Sequence, residues 1–120
     1  MSRGIKVGTD IISIKRLEAS IDRFGDRFKE KFLTKSEIES TKKIDSIAGL
    51  WASKEAISKA LGCGICSDLT FQDIIITKDS RGKPSFRLSQ KSQKIFKIED
   101  SSLSISHDGG FAIAVVIVSF

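Results

Sequence analysis

The chain has 120 residues and a mass of 13.2 kDa, enough for one domain with a single modest core. Apolar residues make up 40% and charged residues 29%, which is typical of globular proteins and argues against disorder. Lys and Arg outnumber Asp and Glu by 20 to 15, and residues 1–60 contain 13 of those basic side chains against 9 acidic ones. This surplus in the first half predicts an anionic partner.

Membrane and secreted classes are not favoured. The longest apolar run, Phe111–Val118, is far too short to span a bilayer, and residues 1–6 are interrupted by charge and lack a signal-peptide core. Two cysteines without a secretory signal indicate a reducing cytoplasm and no disulfide framework. One His and two Cys are too few for an ordinary closed zinc site without carboxylates.

The first third of the sequence predicts a strand followed by helices. Apolar residues around Gly8-Thr-Asp10 predict a strand that ends near Asp10. Apolar residues then recur three and four positions apart from residue 14 to 28, which predicts a helix that bends or breaks at Gly25. Thr34-Lys-Ser-Glu37 is a capping box and predicts a short helix, and polar residues 41–45 are typical of a loop.

The strongest helix prediction covers residues 46–61, with Gly62 as its C-cap. Residues 71–78 predict a strand, and turn residues 79–82 connect it to a second strand around Phe86 in a hairpin.

The C-terminal part predicts further strands after an amphipathic segment, residues 90–98, of undecided type. Residues 103–105 alternate before His107, Asp108-Gly-Gly110 predicts a tight turn, and residues 111–118 predict a buried strand. The sequence therefore predicts one α+β domain over residues 1–120, a mostly antiparallel sheet packed by a long central helix.

Asp10 is the first candidate for chemistry, because it stands where the predicted strand ends. It is interpreted either as a helix N-cap or turn residue or as a ligand of a hard metal ion.

Glu55 and Lys59 are four residues apart and share one face of the long helix. The commoner interpretation is an exposed ion pair that contributes a few tenths of a kcal/mol. The alternative is that Lys59 and the following Gly62-Cys-Gly64 turn bind phosphate, although a helix C-terminus has the wrong dipole for anions.

Cys63 and Cys66 have C-x-x-C spacing but follow a helix C-terminus, whereas a redox pair requires a helix N-terminus. Both are therefore interpreted as packing residues. His107 is the only histidine, and Ser104 and Ser106 beside it do not make a triad without an orienting acid.

Together these segments resemble one family along nearly the whole chain, the bacterial holo-[acyl-carrier-protein] synthases, which are short 4′-phosphopantetheinyl transferases. The resemblance rests on Gly8-Thr-Asp10-Ile11, Arg27-Phe28-Lys-Glu-Lys-Phe32-Leu-Thr34-Lys-Ser-Glu37, Trp51-Ala-Ser-Lys54-Glu55-Ala56-Ile-Ser-Lys59-Ala60-Leu-Gly62-Cys-Gly64-Ile65, Phe71-Gln-Asp73-Ile74, Gly82-Lys83-Pro84 and Ser104-Ile-Ser-His107.

The resemblance implies transfer of the phosphopantetheine arm of coenzyme A to a serine of apo acyl carrier protein, with release of adenosine 3′,5′-bisphosphate. It also implies dependence on Mg²⁺, a place in fatty acid biosynthesis, and a homotrimer with the coenzyme site between subunits. By motif match, Asp10 and Glu55 become the metal ligands, in agreement with the preference of Mg²⁺ for carboxylates. Glu55, directly or through a metal-bound water, is the candidate base, and Lys59 contacts the transferred phosphate. The remaining coenzyme-binding residues are Gly62, Cys63, Gly64, Lys83, Pro84, Ser106 and His107, and the resemblance implies that His107 is supplied across the subunit interface.

Three positions depart from the family pattern. Leu50 stands where an arginine is common, Ser102 where a histidine is frequent, and Cys63 where threonine is usual. The first departure implies that another basic residue replaces the arginine.

The acidic carrier suggests a use for Arg16, Arg23 and Arg27, which lie near one stripe of the early helix. The hypothesis is that this stripe docks the carrier, and the alternative is a solvated helix face. Two rival functions stay open: a small basic nucleic-acid-binding protein without a recognisable motif, and a noncatalytic subunit that keeps the fold.

Overall fold

A three-stranded antiparallel sheet holds the two ends of the chain together. In the computed structural model, which describes residues 4–120, β1 (Ile5–Ser13) and β4 (Asp100–Asp108) flank the central strand β5 (Phe111–Ser119). Residues 1–3 of the charged N-terminal segment lie outside the described part. The predicted end of β1 at Asp10 is wrong, because pairing with β5 continues to Ser13.

Four helices follow β1: α1 (Ile14–Phe24), α2 (Asp26–Phe32), α3 (Lys35–Ser40) and α4 (Ile44–Ala60). The predicted break at Gly25 is confirmed, because its φ of 68° takes the chain out of the helical region between α1 and α2. The predicted capping box is also confirmed. Thr34 Oγ1 accepts from the Glu37 backbone N–H at 3.3 Å, and Glu37 Oε1 accepts from the Thr34 backbone N–H at 2.8 Å. The helix α4 begins two residues earlier than predicted, inside the segment expected to be a loop.

The predicted hairpin is confirmed as β2 (Ile74–Lys78) paired with β3 (Pro84–Leu88), and the segment of undecided type contains a helix, α5 (Gln90–Phe96). The strand prediction for residues 71–78 is wrong at its start. Residues 71–73 form a 3-10 turn, because Asp73 Oδ2 accepts from both the backbone N–H and the hydroxyl of Thr70 at 2.8 Å.

The inner face of the sheet packs on α4, and Gly8 sets the distance between them. A Cβ at Gly8 would lie 1.9 Å from the carbonyl oxygen of Ala56 and 2.7 Å from the backbone nitrogen of Ala60. Only glycine therefore allows β1 to lie this close to α4. The close approach brings the next inward-facing residue of β1, Asp10, to the C-terminal half of the helix.

The outer face of the same sheet is apolar and exposed. Along β5 the buried residues alternate with exposed Phe111, Ile113, Val115 and Ile117. Neighbouring β1 adds exposed apolar side chains, among them Ile11 opposite Ile113. The prediction of a wholly buried β5 is therefore wrong for one of its faces.

A buried ion pair connects α3 to α4. Lys54 Nζ lies 2.7 Å from Glu37 Oε1, and the two side chains are 0% and 3% exposed. Lys54 also donates to the Phe71 carbonyl oxygen at 3.0 Å, and Glu37 Oε2 accepts from the Ile76 backbone N–H at 2.9 Å. Burial lowers the pKa of Lys54, and its hydrogen bond and charge interaction with Glu37 oppose that shift.

We expect Lys54→Met to lower the free energy of unfolding by about 3–5 kcal/mol, because it leaves Glu37 buried without its cationic partner. The control is Lys91→Met, which removes an exposed lysine 2.9 Å from Asp73 and is expected to cost at most about 1 kcal/mol. Urea unfolding of both variants measures the difference. Equal losses would show that the Lys54 pair contributes no more than a surface ion pair.

Candidate active site

Asp10 and the C-terminal half of α4 form a charged site at the edge of the sheet. Lys59 Nζ lies 2.9 Å from Asp10 Oδ1, with the lysine side chain 54% exposed and the aspartate 15%. The interpretation of Asp10 as a helix N-cap is wrong, because Ser13 caps α1 and accepts from the Arg16 backbone N–H at 3.3 Å. Asp10 is instead held inside β1 and directed at α4.

Glu55 completes this group. Burial raises the pKa of Glu55, the negative charge of Asp10 raises it further, and the positive charge of Lys59 lowers it. All three side chains therefore interact electrostatically. The salt bridge of Lys59 is with Asp10, which replaces the interpretation of Glu55 and Lys59 as a simple exposed pair.

The two carboxylates suit a hard divalent cation. The charge of Asp10 disfavours ionisation of Glu55, so a cation between them would relieve that repulsion. Within residues 4–120 no group of three or more His, Cys, Asp or Glu side chains could hold a metal ion. A site with only two protein carboxylates fits Mg²⁺, which keeps several water ligands and binds substrate phosphate, better than it fits zinc.

A second group of candidate residues lies around a cavity of about 220 Å³ on the inner side of β4. Pro84 and His107 line it together with Gly82 and Lys78, and Asp10, Glu55 and Lys59 are not among its lining residues. Asp10 and His107 lie on opposite edge strands of the sheet, β1 and β4, so within one chain the predicted site residues fall into two groups.

Two other predicted coenzyme residues do not join His107 in this cavity. Ser106 is paired with Ile113 and lies on the outer, exposed face of the sheet. Lys83 is exposed, and its backbone N–H donates to Asp79 Oδ1 at 2.9 Å in the hairpin turn.

Sequence reasoning missed Lys78, which lies between two cavities. It lines the cavity that contains His107 and also a neighbouring groove of about 680 Å³, lined further by Lys42, Lys43 and Leu50. Leu50 thus faces a basic groove at the position where the family pattern has arginine. The adjacent Lys42 and Lys43 just before α4 were the one sign of this basic groove in the sequence. The sequence does not show that β2 places Lys78 beside them.

The loop after α4 is held by backbone hydrogen bonds. The N–H groups of Gly62 and Gly64 donate to the carbonyl oxygens of Lys59 and Ser58 at 3.0 and 3.2 Å. Cys63 is exposed, so its interpretation as a packing residue is wrong, whereas Cys66 is partly buried against the core as predicted.

The arginine stripe is shorter than predicted. Arg16 and Arg23 are exposed on α1, but Gly25 interrupts the helix and places Arg27 on α2. A groove of about 380 Å³ beside Arg16 is lined by apolar side chains that include Phe28 and Trp51.

Comparison with known proteins adds an independent line of argument. Residues 6–116 match the family described as the 4′-phosphopantetheinyl transferase superfamily. A holo-[acyl-carrier-protein] synthase from Sulfurovum sp. (strain NBC37-1) is 58% identical over 116 residues, covering 97% of this chain and 98% of that protein. No helix in residues 4–120 is long and apolar enough to cross a membrane.

Solved structures agree with this assignment. The holo-[acyl-carrier-protein] synthase of Helicobacter pylori in complex with coenzyme A superposes with a TM-score of 0.89 at 50% identity, covering 93% of this chain and 98% of that one. The corresponding enzyme from Neisseria meningitidis gives 0.86 at 34% identity and covers 98% of both chains. The expected family and the single-domain α+β fold are thereby confirmed: the chain belongs to the 4′-phosphopantetheinyl transferase superfamily and, within it, to the holo-[acyl-carrier-protein] synthases.

Proposed function

We propose that this chain transfers the 4′-phosphopantetheine arm of coenzyme A to a serine of an acidic apo acyl carrier protein in a Mg²⁺-dependent reaction of cytoplasmic fatty acid biosynthesis. The observation that carries the proposal is the meeting of Asp10, Glu55 and Lys59 at one site. Two carboxylates and an adjacent ammonium group are the charges that transfer of a phosphoryl group from a pyrophosphate requires.

Glu55 is the candidate general base. Burial, as the largest cause, raises the pKa of Glu55 above its ordinary value. A carboxylate with a raised pKa is a stronger base, so it removes the serine proton more readily. It accepts the proton of the carrier serine as the serine oxygen bonds to the β-phosphorus of coenzyme A. The phosphorus–oxygen bond of the pyrophosphate breaks, and adenosine 3′,5′-bisphosphate leaves.

Asp10 and Glu55 would hold Mg²⁺ between them, and when bound this ion neutralises negative charge on the pyrophosphate. Lys59 contacts the phosphate that is transferred. Because its side chain is half exposed, Lys59 can exchange Asp10 for a substrate oxygen, and a bound Mg²⁺ would then supply the positive charge beside the largely buried Asp10 carboxylate.

The nucleotide end of coenzyme A binds along Gly62, Cys63 and Gly64 and near Lys83, Pro84, Ser106 and His107. The groove lined by Lys42, Lys43 and Lys78 supplies the positive charge that Leu50 lacks at the position where an arginine is common. Lys78 borders both this groove and the cavity of His107, so it can reach an anionic group bound at either place.

A homotrimer accounts for the separation of the two groups of site residues. The group around Asp10 in one subunit would face the group around His107 in a neighbour, with the exposed apolar face of the sheet buried between copies. The apolar surface on β5 and β1 is the kind that oligomer interfaces cover.

The carrier binds on α1. Arg16 and Arg23 meet its acidic surface, Arg27 extends the contact onto α2, and the groove beside Arg16 accepts an apolar side chain of the carrier.

The transferase reaction is tested by incubating the protein with coenzyme A, Mg²⁺ and an apo acyl carrier protein and weighing the carrier by mass spectrometry. We expect the carrier to gain the mass of phosphopantetheine. Glu55→Gln and Asp10→Asn should each slow the reaction by about 100-fold or more, because the first removes the base and both remove a metal-ligand charge.

The matched control is Glu39→Gln, which removes an exposed carboxylate on α3 and should leave the rate unchanged. A wild-type protein that fails to modify the carrier and binds DNA or RNA in a salt-sensitive manner would favour the nucleic-acid alternative. A correctly folded but inactive protein would favour the noncatalytic one.

Carrier docking is tested with the double variant Arg16→Glu, Arg23→Glu. At low salt we expect the association rate with the carrier to fall roughly tenfold, with a smaller effect at high salt, because exposed charges mainly steer the encounter. Lys94→Glu makes the same kind of change at an exposed position on α5 and should have little effect. Stopped-flow binding measures both, and equal rates in all three proteins would refute docking at α1.

The oligomer is tested with Ile113→Lys, which places a charge in the middle of the outer sheet face. We expect light scattering to show a trimer for the wild type and a smaller species for this variant, with the helical circular dichroism retained. Ile95→Lys changes an equally exposed residue of α5, since the two isoleucines are 42% and 44% exposed, and should remain trimeric. A monomeric wild type would contradict the trimer.

A further inference from the structure

The ammonium group of Lys59 is paired with a carboxylate of the proposed metal site. Lys59 Nζ donates a hydrogen bond to Asp10 Oδ1 at 2.9 Å, and the two side chains form a salt bridge between α4 and β1. Glu55, the other proposed metal ligand, lies about one helical turn before Lys59 in α4. The chain itself therefore places a cation against Asp10.

The two partners of this salt bridge differ in their freedom to move. Asp10 belongs to β1, where its backbone pairs with Ala114 of β5, and its side chain is only 15% exposed. The Lys59 side chain is 54% exposed, and a lysine ammonium is carried on a flexible stem of four carbons. When a ligand competes for either charge, Lys59 is therefore the partner that moves away.

A divalent cation and Lys59 compete for Asp10. A metal ion bound to this carboxylate would lie beside the ammonium group, and the two positive charges would repel each other. Binding of the metal alone therefore requires Lys59 to leave Asp10 without receiving another anionic partner. A pyrophosphate supplies that partner, because its oxygens accept strong charge-assisted hydrogen bonds from an ammonium group.

We propose that Lys59 is an internal counter-cation of Asp10 that couples binding of the divalent metal to binding of the donor's pyrophosphate. This inference rests on the proposed function, in which Asp10 is a metal ligand and Lys59 contacts a phosphate. In the free protein, Lys59 pairs with Asp10 and weakens metal binding. When the pyrophosphate binds, Lys59 moves to one of its oxygens and leaves Asp10 available to the metal.

The coupling has a consequence in each direction. Because linkage between two ligands is reciprocal, the metal raises the affinity for the pyrophosphate donor by the same factor as the donor raises the affinity for the metal. The largely buried Asp10 carboxylate is also never left without a positive neighbour, since the departing Lys59 is replaced by the metal ion. Metal and donor therefore assemble together.

The competition is tested with Mn²⁺ as a paramagnetic probe. The full-length wild type and its variants are titrated with Mn²⁺ in the absence of coenzyme A, and free Mn²⁺ is measured by electron paramagnetic resonance. We expect Lys59→Met to bind Mn²⁺ about tenfold more tightly than the wild type, because the competing charge is gone. Lys59→Arg keeps a positive charge and should bind Mn²⁺ no more tightly than the wild type.

The matched control is Lys91→Met. Lys91 lies 2.9 Å from Asp73, and the exposed fractions of the two side chains are 52% and 12%, close to those of Lys59 and Asp10. This variant makes the same change of net charge outside the candidate site, so its affinity for Mn²⁺ should equal that of the wild type. An equal gain in Lys91→Met and Lys59→Met would reduce the effect to net charge and overturn the proposal.

The coupling is tested by repeating the titrations with saturating coenzyme A. Its phosphates can themselves ligate Mn²⁺, which raises the affinity in every variant, so the contribution of Lys59 is the difference between two gains. We expect the gain to be about tenfold larger in the wild type than in Lys59→Met. Calorimetry should show the reciprocal effect, a larger rise in coenzyme affinity on addition of Mn²⁺ in the wild type.

The outcomes separate this inference from the proposed reaction, since neither measurement needs transferase activity. Equal affinities of the wild type and Lys59→Met without coenzyme A, or equal gains with it, would refute the coupling and leave the metal site in place. A wild type that binds no Mn²⁺ with or without coenzyme A would refute the proposed metal site and the coupling together. Circular dichroism checks that each variant is folded.

Discussion

The close approach of β1 to α4 is the constraint on which both the fold and the site depend. The carbonyl oxygen of Ala56 occupies the place where a side chain at residue 8 would be, so the strand can reach the helix only through glycine. Pairing of β1 with β5 then carries the whole sheet into contact with the helix. One inward position further along the strand, this contact delivers Asp10 to Lys59, and the two residues are 49 positions apart in the sequence. The same backbone contact that closes the core therefore also assembles the charges.

Lys54 and Glu55 are adjacent in α4, but the first belongs to the buried core and the second to the candidate site. Lys54 is buried and donates hydrogen bonds to Glu37 and to the Phe71 carbonyl oxygen, whereas Glu55 is partly buried and the charge of Asp10 raises its pKa. Consecutive helical residues are about 100° apart around the axis, since 3.6 residues make one turn, so neighbouring side chains can serve different faces. The buried pair fixes how α4 is rotated and where it lies relative to α3 and β2. It is therefore a positioning element for Glu55, while Lys59 one turn later stays free enough to exchange partners.

Local signals explain which parts of the fold were predictable. The helix break at Gly25, the capping box at Thr34 and the β2–β3 hairpin each depend on residues close in sequence, and each is confirmed. The end of β1 was misplaced, because its last residues are strand only through pairing with β5, about a hundred residues away. The exposed face of β5 was also missed. Burial alternates along this strand, but the residues on both of its faces are apolar, so the sequence does not show which face is exposed.

The candidate site shows the same division between local and long-range information. The four-residue spacing of Glu55 and Lys59 places them on one helix face and predicts an ion pair between them. In the structure Lys59 instead forms its salt bridge with Asp10, on β1. The family resemblance implies that His107 is supplied across a subunit interface, and within one chain Asp10 and His107 lie on opposite edge strands of the sheet, β1 and β4. A single chain thus presents a charged half-site, a cavity half-site and an apolar sheet face that lacks a cover. Association of copies through that apolar face would bury it. The same association can place the charged half-site of one subunit beside the cavity half-site of its neighbour.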